Sequence, residues 1–140
     1  MPAVFQIVSR GSGKALSASP DEGQYVFQNA QDPSDPSQLW TLTTGDDPSN
    51  VVISLFDVGM SIATEAPDPT QQSLLVLGGS EVWRVSRLIR SVYFFSIEGP
   101  NRLVMDVPGN SRADGQIIQV FRNHAGENQQ WTFLPVFAYL

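Results

Sequence analysis

The residues of this chain best suited to chemistry lie close together in its last third. Met105-Asp106-Val107-Pro108-Gly109 reads as an apolar strand that ends on a carboxylate and runs at once into a Pro-Gly-Asn turn. A polar loop with a second glycine follows over residues 111–115. Ile117-Ile118-Gln119-Val120-Phe121 then forms a second apolar strand with an aromatic at its end. The next loop carries Asn123, Asn128 and Gln129 and leads into Trp131. Together these supply a fixed acceptor, an apolar plate and amides that both donate and accept. A sugar needs that mixture, because it has hydroxyls around its rim and a C–H face that lies on an aromatic ring.

Reactive chemistry is poorly served by comparison. One histidine, His124, and no cysteine leave out the usual nucleophile–base pairs and any ordinary zinc site. There is no Gly-x-Ser-x-Gly, and Gly11-Ser12-Gly13 lacks the rest of a nucleotide fingerprint. The Asp-Pro clusters (Asp32-Pro33, Asp35-Pro36, Asp46-Asp47-Pro48, Asp68-Pro69) do not match a calcium loop and are read as turn formers. No second acid sits beside Asp106 to complete a glycoside-cleaving pair. No catalytic residue, metal or cofactor is therefore expected. His124 is read as an exposed loop residue, with contact to a sugar from the rim as the alternative.

The elements that must position these residues are short. The chain has 140 residues, 41% hydrophobic and 16% charged, enough for one domain with a real core. Its 11 glycines and 10 prolines are spread along the length and mark many turns. No helical period appears. Short runs rich in Val, Ile, Leu and Phe recur between turn signals, the pattern of an all-β protein. Strands are expected at 3–9, 15–17, 25–28 and 39–43, at 51–55, 60–63, 74–77 and 83–87, and at 92–97, 104–107, 117–121 and 131–136.

Each fourth run opens with a tryptophan: Gln38-Leu39-Trp40, Glu81-Val82-Trp83 and Gln129-Gln130-Trp131. The steps of 43 and 48 residues are those of an internal repeat, with units of about 1–47, 48–90 and 91–140. A unit of four short strands cannot bury its own apolar face, so three copies around a pseudo-threefold axis would share one core.

Asp106-Val107-x-Gly109, Asp114-Gly115, Gln119-Val120-Phe121 and Asn128-Gln129-Gln130-Trp131 together resemble the best-preserved repeat of a ricin-B-type β-trefoil lectin. The small, cysteine-free form is similar to the cytoplasmic lectins of fungi. The resemblance implies an all-β fold, a β-trefoil of three four-stranded repeats, that binds galactose or N-acetylgalactosamine. It implies that Asp106 accepts bonds from two neighbouring hydroxyls, that Phe121 stacks on the sugar and that Asn128 closes the rim. Gln119, Gln129 and Gly109 complete the site, the two glutamines serving equally well as sugar contacts or as scaffold. The plainer alternatives are a turn acid at Asp106 and a core residue at Phe121. Replacing Asp106 by alanine is expected to remove galactoside binding with the fold intact.

The other two repeats depart from this pattern. In the first, Ser17 stands for the acid and Ser37 for the asparagine, while Tyr25 and Phe27 can still stack beside Gln38, which makes a doubtful second site. In the second, Ser61 stands for the acid, Leu75 and Leu77 for the aromatic, and Ser80-Glu81 for Asn-Gln, so no site is expected.

Expected partners are galactoside or N-acetylgalactosaminide glycans on glycoproteins or glycolipids. A net charge of −6 argues against nucleic acid, and Arg84, Arg87 and Arg90 are read as a solvated strand edge that blunts pairing. No apolar run approaches the roughly 20 residues that span a bilayer, so no membrane insertion is expected. The absence of cysteines and of an export segment favours the cytoplasm, or unconventional release. A homodimer is expected through the apolar end Val136-Phe137-Ala138-Tyr139-Leu140, whose alternative role is to close the barrel. The rival functions are a protease-inhibiting trefoil acting through the Pro-rich loops 32–37 and 66–70, and a protein-interaction trefoil with a vestigial sugar site.

Overall fold

Runs of three to six residues that carry alternating apolar side chains, bounded by turns, become strands in the structure, a computed structural model that describes residues 3–56, 58–88 and 91–136. Among these residues twelve strands form in three groups of four. The first group is β1 (Phe5–Ser9), β2 (Ala15–Ser17), β3 (Phe27–Asn29) and β4 (Trp40–Thr44). The second is β5 (Asn50–Leu55), β6 (Ile62–Thr64), β7 (Leu75–Leu77) and β8 (Trp83–Arg87). The third is β9 (Phe95–Glu98), β10 (Leu103–Asp106), β11 (Gln119–Arg122) and β12 (Trp131–Pro135).

The first and fourth strands of each group build a barrel. β1 pairs with β4, β4 with β5, β5 with β8, β8 with β9, and β9 with β12, which returns to β1, all antiparallel. Closure leaves no free edge on this ring. The middle strands pair as the hairpins β2–β3, β6–β7 and β10–β11.

Three features show how closely the groups repeat. The buried indole N–H of Trp40 donates to the Leu16 carbonyl (2.9 Å), that of Trp83 to Ile62 (2.9 Å) and that of Trp131 to Met105 (3.2 Å). At the axis, Val26 N–H donates to Leu75 O, Leu75 N–H to Ile118 O and Ile118 N–H to Val26 O, at 2.9, 3.0 and 2.9 Å. Those bonds also explain why β3 and β11 begin two residues later than the sequence suggests. Tyr25, Val26, Ile117 and Ile118 bond across to other groups instead of extending their own ladders. Finally, the hairpins are entered by matching turns: Gln24 N–H donates to Asp21 O, Ser73 N–H to Thr70 O and Gln116 N–H to Ala113 O. Ile7, Leu16, Val26, Ile53, Leu75 and Ile118 join the tryptophans in one continuous core.

One expectation is corrected in part, and one alternative is met. Arg84 lies where β8 is paired by both β5 and β9, so it does not guard an edge, whereas Arg87 pairs with β9 alone. Arg84 instead faces Asp47 at 3.5 Å, and Arg87 lies over the Phe95 ring. Arg90 lies outside the described residues. At the C-terminus, Val136 is buried with Val4 and Leu39 and donates its N–H to Val4 O (2.8 Å), so the chain closes the barrel there. Residues 137–140, on which the expected homodimer surface falls, lie outside the described residues.

Among the described residues two ion pairs clip the third group to the first, Arg10 with Glu127 (3.3 Å) and Lys14 with Asp114. Lys14 Nζ stands 2.9 Å from Asp114 Oδ1, which also accepts the Ala30 N–H. The lysine hydrogen bond, helped by the Ala30 N–H, holds the Asp114 carboxyl below its ordinary value. A depressed carboxyl supports the fold above the ordinary carboxylate range, and that support is lost as pH falls through the lowered value. Lys14→Gln is expected to return the Asp114 pKa towards normal in an NMR titration. An unchanged titration would mean that the pair does not persist in solution.

Candidate functional site

In β10 and β11 alternate residues face opposite sides, and this sets out the site. Met105, Ile118 and Val120 point into the core, while Asp106, Gln119 and Phe121 share the outer side. Register places Asp106 directly opposite Gln119 and Val104 opposite Phe121. Beyond Asp106 the chain turns sharply through Pro108-Gly109-Asn110, with φ of 60° at Gly109 and 54° at Asn110. Glycine is suited to that left-handed position. Val107 N–H then reaches Asn128 O (2.9 Å), which docks the turn against the loop before Trp131.

Asp106 is the hub. Its carboxylate is only 2% exposed, so it must be paired. Gln119 Nε2 donates to Oδ1 (2.9 Å), while Gln129 Nε2 (2.9 Å) and Asn128 Nδ2 (3.2 Å) donate to Oδ2. The amides are themselves braced. Asn128 Nδ2 also donates to Val107 O (3.0 Å), and Gln129 Nε2 to Arg122 O (2.8 Å). Gln129 Oε1 accepts the His124 N–H (2.9 Å). His124 Nε2 stands 3.9 Å from Asp106 Oδ2, and its ring meets Phe121 edge-on with centroids 6.0 Å apart.

A cleft of about 410 Å³ opens here, lined by Asp106, Gln119, Asn128, Phe121 and His124, by the Pro108-Gly109-Asn110 turn, and by Gln72 from the second repeat. Of the residues singled out in the sequence, Asp106, Gly109, Gln119, Phe121 and Asn128 share it. Gln129 does not line it, being buried behind the acid. A carboxylate has about four acceptor positions, and three are taken by amides. The remaining one, on Oδ1, can receive one hydroxyl, not the two that the resemblance implies.

His124 is an exposed loop residue, as expected, and it also lines the cleft. One lining residue was not singled out at all. Gln72 comes from another repeat, and the only signal for it is the alignment of Thr70-Gln71-Gln72-Ser73 with Asp21-Glu22-Gly23-Gln24 and Ala113-Asp114-Gly115-Gln116.

The first repeat does not reproduce this arrangement. Ser17 follows Leu16, the acceptor for Trp40, as Asp106 follows Met105, but Ser17 is buried and donates to Ala15 O. Counting from the axis bonds, Asn29 occupies the place of Phe121, whereas Phe27 matches Gln119 and Tyr25 matches Ile117. Tyr25 bonds Glu65 instead, which raises its pKa. Gln38 is 1% exposed and its amide is used by Ala30 O, Gln6 Nε2 and the Asp32 N–H. Gln38 is therefore a brace like Gln129, and Tyr25, Phe27 and Gln38, the doubtful second site, are not arranged as Asp106, Phe121 and Asn128 are. In the second repeat the acid position is Ala63, after Ile62, and not Ser61. The aromatic position is Gly78, while Leu75 and Leu77 are core.

No family model matches the chain, and no curated protein is similar to it in sequence. Solved structures are similar in fold. ThreeFoil, a designed threefold-symmetric protein, superposes with a TM-score of 0.85 at 22% identity over 94% of this chain and 97% of its own. The fold is a β-trefoil. The Macrolepiota procera ricin B-like lectin in complex with lactose gives 0.82 at 19% identity, covering 93% of each chain. The C-half of the earthworm R-type lectin in complex with GalNAc gives 0.70 at 22% identity, over 96% of this trefoil and 99% of its own chain.

Proposed function

We propose that this trefoil is a lectin that binds galactose or N-acetylgalactosamine residues of glycans, without transforming them, in the cleft of its third repeat. The carrying observation is the buried carboxylate of Asp106, fixed by three amides in a cleft that it shares with the Phe121 ring. Lactose and GalNAc bound to ricin B-like and R-type lectins of the same fold support the sugar class.

In this reading one hydroxyl donates to the open position on Asp106 Oδ1. Such a bond to a charged acceptor contributes about 1.5–3 kcal/mol, against about 1 kcal/mol for a neutral pair. The next hydroxyl donates to the Asn128 carbonyl oxygen, whose amide hydrogens are committed to Asp106 and Val107. The C–H face of the sugar lies on Phe121. An epimer that turns one hydroxyl away leaves a desolvated acceptor unpaired, and this gives the selectivity.

Titration calorimetry with methyl galactoside and lactose, beside a glycan array, tests the proposal. Phe121→Ala is expected to weaken galactoside binding at least about tenfold, since ring contacts of this kind contribute about 1 kcal/mol or more beyond area burial. Free galactose should compete with every glycan bound. A wild-type protein that ignores galactosides, or inhibits a protease in a galactose-insensitive way, would overturn the proposal in favour of the loop-inhibitor reading.

Gly126 offers a gentler probe. A Cβ there would stand 2.5 Å from His124 Cε1 and 2.6 Å from Asn128 Oδ1. Gly126→Ala should therefore push both groups and weaken binding several-fold, at a stability cost below about 1 kcal/mol because a side chain on the rim can shift. Unchanged affinity would show that neither group contacts the sugar.

A further inference from the structure

The three hairpin-entry turns differ at one telling position. Their third residue is left-handed in each copy: Gly23 at φ 80°, Gln72 at φ 73° and Gly115 at φ 82°. Each donates its N–H to the hairpin of the following repeat, Gly23 to Leu77 O, Gln72 to Val120 O and Gly115 to Gln28 O. The backbone requirement is the same three times, and glycine meets it without strain. Only the second repeat puts a full side chain there.

That side chain borders the one hairpin that carries Asp106 and Phe121. Gln72 lines their cleft, and its amide makes no hydrogen bond to any other described residue. The loop that presents it is held from the third repeat, with Asn101 Nδ2 donating to Asp68 Oδ1 (2.7 Å) and Pro69 O (2.9 Å). A strained backbone, a fixed loop and an uncommitted amide at the mouth of a cleft are the marks of a functional position.

We infer that Gln72 is a specificity-determining residue that contacts the second saccharide unit of a bound glycan, beyond the hexose held by Asp106 and Phe121. The inference rests on the lectin reading above. A glutamine amide presents one acceptor and two donors, which suits the hydroxyls or acetamido group of a neighbouring ring. The cleft is thus a joint product of two repeats, with the third repeat holding the terminal sugar and the second checking what it is attached to.

The test compares methyl galactoside with lactose and N-acetyllactosamine by calorimetry, on the wild type, Gln72→Gly and Gln72→Asn. The wild type should bind the better disaccharide about five- to tenfold more tightly than methyl galactoside. Gln72→Gly, which restores the residue of the other two turns, should reduce that preference to about one and unfold at the same or a higher temperature. Gln72→Asn tolerates the same backbone but is one methylene short, and should lose most of the preference. If the wild type binds methyl galactoside and the preference is absent or survives in Gln72→Gly, this inference falls and the lectin reading stands. If the wild type binds none of the three sugars, both fall.

Discussion

Asp106→Ala is expected to lower the unfolding free energy by about 2–4 kcal/mol while removing galactoside binding altogether. The acid serves two purposes at once. In the proposed reading the open position of its carboxylate takes the ligand, while three positions hold Gln119, Gln129 and Asn128 in place. Without it Gln119 Nε2 has no other partner, whereas Gln129 and Asn128 keep Arg122 O and Val107 O. An orphaned buried amide costs about 1–3 kcal/mol, and two weakened ones add to that. The cost stays moderate because the site opens to a cleft from which water can enter. The sequence suggested an intact fold for this variant. The buried network argues otherwise. Urea denaturation of Asp106→Ala and Asp106→Asn, measured beside sugar binding, would decide it. A midpoint equal to wild type would show that the carboxylate is not the hub of the loop. The expected destabilisation means that lost binding in Asp106→Ala alone does not separate contact from collapse, which is why Phe121→Ala is the cleaner test.

Gly99→Ala should cost about 1–3 kcal/mol, the usual range for overpacking a filled core. A Cβ at Gly99 would stand 2.9 Å from Trp83 Cε3 and 3.0 Å from Cη2, and nearer still to Cζ3. The ring cannot easily retreat, being fully buried and tied through its indole N–H to Ile62 O. The glycine cannot slide away either, because its N–H donates to Leu103 O (2.8 Å). Thermal unfolding of Gly99→Ala would check this. An unchanged midpoint would mean that the Trp83 layer is looser than its packing suggests. Sugar binding at equal folded fraction should be unaffected, since Gly99 does not line the cleft.

Much of the architecture could be read from the chain because it is governed by local pattern. The three tryptophans announce the repeat, and each performs the same task, donating its indole N–H to the carbonyl just before the acid position. Strand boundaries failed where the local rule gives way to the axis. Tyr25 and Ile117 look like ladder residues, but their neighbours Val26 and Ile118 bond to other repeats. For the same reason the aromatic positions of the two weaker repeats and the acid position of the second were misplaced, while Ser17 does hold the acid position of the first. Spacing from a tryptophan does not show which carbonyl meets the indole, and Ala63 rather than Ser61 follows that carbonyl in the second repeat.

The sequence by itself determined the strand content, the threefold order and the set of side chains on β10 and β11, because alternation and turn residues act within a few positions of each other. Tertiary structure alone decided how those side chains are used. Whether a glutamine only braces the acid, as Gln129 does, or braces it and also lines the cleft, as Gln119 does, depends on burial, which residue type does not encode. That Gln72 reaches the cleft at all depends on one repeat packing its turn against the next, a contact between residues 48 positions apart that no local pattern carries.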